Sequence, residues 1–230
     1  MVKAVFFDVG NTLLYPYPSV SAVCKEVLDE AGYDHEAEDI DAILPVVDEY
    51  YEDRYREDDT FWTSEQKTSD IWTGMYAMLL RKLGIDEDAE DLAKRVYDEF
   101  GKASRWRAYD DVKPAMWRLK EHGLKLGVIS NWDKRLESLL DGMGVGEMFD
   151  TVISSAAVGL HKPDPRIFEL ATKHLRLEPA DCIHIGDHHY ADILGARSAG
   201  MEALLIDRHD NDAVDADLRT LDELDGILGW

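Results

Sequence analysis

An α/β fold is predicted, built on a doubly wound parallel sheet with an all-helical block inserted after the first strand. Three observations predict it. Short apolar runs recur at Val2–Phe7, Leu124–Ile129, Thr151–Ile153, Cys182–Ile185 and Glu202–Ile206, each short enough to be a buried strand. Helical patterns with clear stops separate the later runs, the alternation expected of a Rossmann-like parallel sheet. Between residues 16 and 108 this alternation ceases, and no strand is expected there.

The elements follow in order. Val2–Phe7 meets Asp8 and a glycine-containing loop, so it reads as a buried strand rather than a leader peptide. Tyr15-Pro16-Tyr17-Pro18 reads as a stiff connection. Helices are expected over 19–31, 36–57, 65–83 and 87–103, with Ile71, Met75, Met78, Leu79 and Leu83 on one face. A helix over 112–122 should stop at Gly123, and one over 191–199 at Gly200. Asp164 and Pro165 open a helix over 165–175 as N-cap and first residue. The expected organisation is a core of 1–15 plus 109–230, and a helical cap of 16–108.

Composition narrows the function. The 230 residues carry 48 acids and 25 Lys+Arg, a formal net charge of −23. No long basic stretch offsets this excess, which excludes nucleic acid and an anionic membrane surface as partners. No apolar run approaches the roughly 20 residues of a membrane span. Cys24 and Cys182 stand far apart without histidines at metal spacing, and read as buried thiols in a reducing compartment. A cytoplasmic protein, monomeric or homodimeric, is the expectation.

Ligands of open parallel sheets bind at the carboxyl ends of the strands. Those ends carry Asp8 to Thr12, Ser130-Asn131-Trp132-Asp133, His161-Lys162-Pro163, and Gly186-Asp187 followed by Asp192. Each segment alone is an ordinary turn or helix cap. Together, at successive strand ends, they gather three carboxylates, an ammonium and a hydroxyl into one site. Clustered carboxylates repel unless a cation sits among them, and hard oxygen ligands suit Mg²⁺. A carboxylate beside that metal can attack phosphorus to give an aspartyl-phosphate. Lys162, the Ser130 hydroxyl and helix N-termini could then hold the phosphoryl oxygens.

These residues resemble the haloacid dehalogenase superfamily along the whole chain. Asp8–Thr12 is similar to its first motif, Ser130-Asn131 to its second, Lys162-Pro163 to its third, and Gly186-Asp187 with Asp192 to its fourth. The helical block resembles the family's C1 cap. The resemblance implies Asp8 as nucleophile and metal ligand, and a Mg²⁺ ion held also by the Gly10 carbonyl, Asp187 and, through water, Asp192. It implies phosphoryl contacts from Thr12, Ser130, Asn131 and Lys162, and a small phosphorylated molecule as substrate.

One position departs from the pattern. Family phosphatases carry a second Asp two residues after the nucleophile, a general acid and base; here it is Gly10. Such proton transfer contributes about 10²–10⁴-fold. Three readings stay open. The first is a Mg²⁺ phosphatase with another acid or a good leaving group, His161, His188, His189 and Tyr15 being possible donors. The second is a dehalogenase or phosphonatase, and the third a non-catalytic phosphate or partner binder. Asp187 with Asp192 keeps a metal site that dehalogenation does not need, which favours the first reading over a dehalogenase. In the cap, Phe61-Trp62 are the expected substrate contacts, and Arg54, Arg56, Arg105 and Arg107 could meet a second anionic group.

Overall fold

A computed structural model of the chain describes residues 2–209 and 215–229; the expected core segment 109–230 thus includes positions outside the described residues. Five parallel strands form the central sheet: β1 (Ala4–Phe7), β4 (Lys125–Ser130), β5 (Thr151–Ser154), β6 (Cys182–Gly186) and β7 (Glu202–Leu205), in the order β5-β4-β1-β6-β7. Two further strands, β2 (Leu14–Pro16) and β3 (Trp106–Ala108), pair antiparallel where the chain leaves the sheet layer and returns to it. This ribbon was not anticipated: each strand has three residues, too few for a period-2 pattern to stand out.

Period-2 alternation explains how the sheet is covered on both faces. Val5 and Phe7 join a cluster with Leu126, Val128 and Ile185, packed under α6 (Val112–Glu121) and α7 (Leu136–Gly142). Ala4 and Phe6 point the opposite way, toward Ile167 and Phe168 of α9 (Pro165–His174). Phe6, Phe7 and Phe168 are fully buried, each ring contributing about 1.5–3 kcal/mol by leaving water. Gly123 and Gly200 adopt φ of 79° and 85° at the predicted helix stops, the left-handed conformation that glycine tolerates best.

The segment between β2 and β3 is helical: α1 (Val20–Ala31), α2 (Ala37–Asp41), α3 (Leu44–Glu57), α4 (Glu65–Lys82) and α5 (Ala89–Glu99). It has its own apolar cluster, with Leu28, Ile40, Leu79, Leu80 and Val96 at its centre. The single helix expected over 36–57 is broken at Ala42-Ile43, just before Pro45 enters the first turn of α3. Proline has no N–H to donate and clashes with the preceding turn, so one continuous helix is disfavoured. The helix expected over 87–103 closes at Glu99 and gives way to a short turn over Ala103–Arg105. The segment expected over 191–199 starts earlier, as a π-helical turn, His189–Leu194, before α10 (Gly195–Ser198).

Candidate active site

Strand register delivers the site. Phe7 pairs with Val128 of β4 and Ile185 of β6, so Asp8, Ser130 and Gly186-Asp187 leave the sheet side by side. The chain turns sharply after Asp8: Asn11 adopts φ of 50° and its N–H donates to the Leu14 carbonyl. Asparagine is among the few residues that accept this conformation.

Lys162 is buried at the centre. Its Nζ lies 2.6 Å from Asp8 Oδ1 and 2.5 Å from Asp192 Oδ1. Burial alone disfavours its charge, but Asp192 and Asp8 outweigh that penalty and hold the ammonium above its usual pKa. Ser130 Oγ donates to the same Asp8 Oδ1 at 2.8 Å. Asp8 Oδ1 is thus occupied twice, whereas Oδ2 accepts no hydrogen bond among the described residues.

Asp192 is held from three sides. Lys162 and His184 Nε2, at 2.8 Å, both reach Oδ1, and the His188 N–H donates to Oδ2 at 3.1 Å. A carboxylate only accepts, so His184 Nε2 carries the proton. Burial holds the His184 pKa below its usual value against the pull of Asp192, and the ring is neutral. Burial raises Asp192, yet the Lys162 charge and the His184 bond prevail and hold it well below the usual carboxylate range. Gly186 makes this approach possible: a Cβ there would lie 2.2 Å from Asp192 Cγ.

Asp187 is the opposite case. Burial and the neighbouring Asp8 and Asp192 charges push its pKa well above the usual value. Ligand atoms of Asp8, Asp187 and Asp192 all lie within 4.8 Å of one another. Three hard oxygen donors, one of them destabilised by its neighbours, form a set that a small divalent cation fits.

Two residues expected on the phosphoryl group are placed otherwise. Asn131 lines the cavity, but both ends of its side-chain amide bind the Lys162 backbone, at 3.0 and 2.8 Å. It therefore positions Lys162. Thr12 is fully buried with Oγ1 unpartnered, and its carbonyl accepts from Arg208 at 2.8 Å; it does not line the cavity.

The site opens into a cavity of about 460 Å³ between the strand ends and the helical segment. Trp62 lines it, whereas Phe61 packs beneath against Tyr51 and Tyr55. None of Arg54, Arg56, Arg105 and Arg107 lines it; Arg105, for example, is paired with Glu26 and Glu99. The cavity arginine is instead Arg135, beside the second strand-end motif. It forms a two-pronged pair with Asp133, donates to the Tyr97 carbonyl and stacks 4.0 Å from the Tyr97 ring. Of the expected proton donors, His188 lines the cavity, while His161 pairs with Asp59 and Tyr15 packs on Tyr109. His184 escaped sequence reasoning, although a histidine inside an otherwise apolar strand was a usable signal.

Comparison with known proteins agrees with this geometry. A family model described as haloacid dehalogenase-like hydrolase matches residues 2–200. Haloacid dehalogenase-like hydrolase domain-containing protein 3 of Bos taurus is 38% identical over 138 residues, covering 59% of this chain and 55% of that protein. The chain thus spans little more than half the length of that relative. A glyceraldehyde 3-phosphate phosphatase of Methanopyrus kandleri is 29% identical over 219 residues, covering 90% of this chain and 85% of that protein. The putative HAD-hydrolase YfnB of Bacillus subtilis superposes with a TM-score of 0.82 at 18% identity, covering 100% of this chain and 99% of that one, and shares the fold. No helix among the described residues is long and apolar enough to cross a membrane. With its motifs at four strand ends and a family model spanning most of its length, the chain belongs to the haloacid dehalogenase-like hydrolases.

Proposed function

We propose that this hydrolase is a Mg²⁺-dependent phosphatase acting on a small phosphorylated molecule through an aspartyl-phosphate at Asp8, with residues 16–108 as its cap. The observation that carries the reading is the asymmetry of Asp8. One oxygen is fixed by Ser130 and Lys162, the other accepts no hydrogen bond among the described residues, and Asp8 lines the cavity. A carboxylate so oriented attacks with a defined lone pair, and proximity replaces much of the entropy cost of attack. Asp8, Asp187 and the Gly10 carbonyl would hold Mg²⁺, and Asp192, with its oxygens already engaged, would support them. When bound, the ion offsets the carboxylate charges and the charge of the phosphoryl group.

The chain's own residues do the rest. Asp8 Oδ2 attacks phosphorus, and Lys162, fixed by the Asn131 clamp, neutralises charge on the transferred group. The helical segment covers the strand ends and excludes water from the transfer. Similarity to the Methanopyrus kandleri phosphatase supports phosphoryl chemistry over dehalogenation. Gly10 favours one alternative, a fold that binds phosphate with little turnover. The two separate on release of phosphate from an aryl phosphate with and without Mg²⁺. Turnover that needs Mg²⁺ and vanishes in Asp8→Asn supports the phosphatase; equal release from both proteins overturns it.

A further inference from the structure

Two independent features of the cavity point to one class of leaving group. The first is its wall. Tyr51, Trp62, Trp72, Tyr76, Phe100 and Trp106 line it, several in consecutive ring contacts: Tyr51 on Trp72 at 5.9 Å, Trp72 on Tyr76 at 6.2 Å, Tyr76 on Phe100 at 5.9 Å. Burial raises the pKa of Tyr51, Tyr55 and Tyr76, so these phenols are uncharged. Among the described residues, Lys162 and Arg135 are the Lys and Arg side chains of the lining. Lys162 is committed to Asp8 and Asp192, and Arg135 to Asp133 and the Tyr97 carbonyl. Glu52 adds a negative charge to the wall. A second anionic group on the substrate would find no uncommitted Lys or Arg among the described residues of the lining and a surplus of acids.

The second feature is Gly10. With no carboxyl there to protonate the leaving oxygen, an alkoxide is expelled slowly. A phenol, with a pKa near 10, leaves without help.

We infer that, given the phosphatase reading above, the substrate class is a phosphate monoester of a flat, apolar and uncharged aromatic alcohol, a phenol rather than an alkanol. In the first step Asp8 Oδ2 bonds to phosphorus and the P–O(aryl) bond breaks, its electron pair leaving on the phenolate. In the second, water oxygen bonds to phosphorus and the pair of the Asp8–phosphorus bond returns to the carboxylate. Dihydrogen phosphate is released, and its proton neutralises the phenolate. Aromatic rings on the wall stack against the departing arene.

The test has a turnover arm and a binding arm, both at fixed Mg²⁺. Phosphate release is measured from phenyl, 4-carboxyphenyl, benzyl and ethyl phosphates. Binding of phenylphosphonate, 4-carboxyphenylphosphonate and methylphosphonate is read from the tryptophan fluorescence of the cavity. The expected order for kcat/KM is phenyl above benzyl above ethyl, with the added carboxylate costing about tenfold or more. Phenylphosphonate should bind about tenfold or more tighter than methylphosphonate. Trp72→Ala should weaken phenylphosphonate binding and narrow that gap. Turnover with ethyl or 4-carboxyphenyl phosphate equal to phenyl would overturn the inference while leaving the phosphatase reading intact. If no ester is hydrolysed beyond the Asp8→Asn background, the phosphatase reading falls; the phosphonate order then supports or overturns the aromatic preference by itself.

Discussion

Replacing Asp187 by Asn should stabilise the metal-free protein and remove its response to Mg²⁺. Ligand oxygens of Asp187, Asp8 and Asp192 lie within 4.8 Å of one another. At an effective dielectric constant of 20, two unit charges at that distance repel by about 3 kcal/mol. The Lys162 ammonium, shared by Asp8 and Asp192, offsets part of this. The expected net gain for Asp187→Asn at pH 7.5 in EDTA is therefore about 1–3 kcal/mol, a rise in Tm of about 2–10 °C for a chain of this size. The sign with pH follows from the raised pKa of Asp187. Its folded value lies above the unfolded one, so the penalty in the parent protein builds as pH rises past about 4 and is complete above the folded value. The advantage of Asp187→Asn should shrink toward pH 4. Mg²⁺ at 100 times its Kd should add about 2.7 kcal/mol to the parent and much less to the variant. Thermal unfolding with EDTA or MgCl₂ between pH 4.5 and 8 reads all three. A metal-free variant less stable than the parent, or one with an undiminished Mg²⁺ shift, would refute the reasoning.

Other outcomes follow from the same geometry. Gly186→Ala should destabilise the fold by about 1–3 kcal/mol, because its Cβ would meet the buried Asp192 side chain at 2.2–2.6 Å; an unchanged denaturant midpoint would contradict this. Gly10→Asp should be tolerated, since a Cβ there meets Trp132 at an ordinary 3.6 Å. It should raise kcat on alkyl phosphates more than on aryl ones, by up to about 10²-fold, and equal gains would count against the role given to Gly10. Residues 16–108 hold 24 acids and 11 Lys+Arg, so an anionic substrate approaches against the field. Inert salt at saturating Mg²⁺ should lower KM, and a rise would show that local cations govern the approach.

The sheet was legible because a parallel strand buried on both faces must be written as an apolar run. The site was legible because Asp8, Ser130 and Asp187 sit immediately at the ends of those runs, with Lys162 and Asp192 in the segments that follow. Asp8, Ser130, Lys162, Asp187 and Asp192 do meet, and strand register alone brings Asp8 beside Ser130 and Gly186. What resisted reading depends on side-chain direction. Asn131 and Lys162 are 31 residues apart, and nothing local signals that the amide of one grips the backbone of the other. Thr12, one residue beyond Asn11, turns into the core rather than the cavity. Arg135 was hidden because its partner Asp133 and its stacking ring Tyr97 come from different segments. Arg54, Arg56, Arg105 and Arg107 looked available in sequence, but the first three are held in ion pairs such as Arg54–Glu57, and Arg107 lies over the Tyr17 ring. The break at Ala42-Ile43 lacks a glycine, and only Pro45 beyond it marks the change of helix.

The central claim is that Asp8 becomes phosphorylated during turnover, and rapid acid quench followed by peptide mass spectrometry tests it most directly. With no carboxyl at position 10 to activate water, the second step is the slower one for an aryl phosphate. The account predicts a burst of phenol and a single phosphoryl group on the peptide containing Asp8, absent from Asp8→Asn. Steady turnover with no burst and no adduct on that peptide, or an adduct on any other residue, would contradict it.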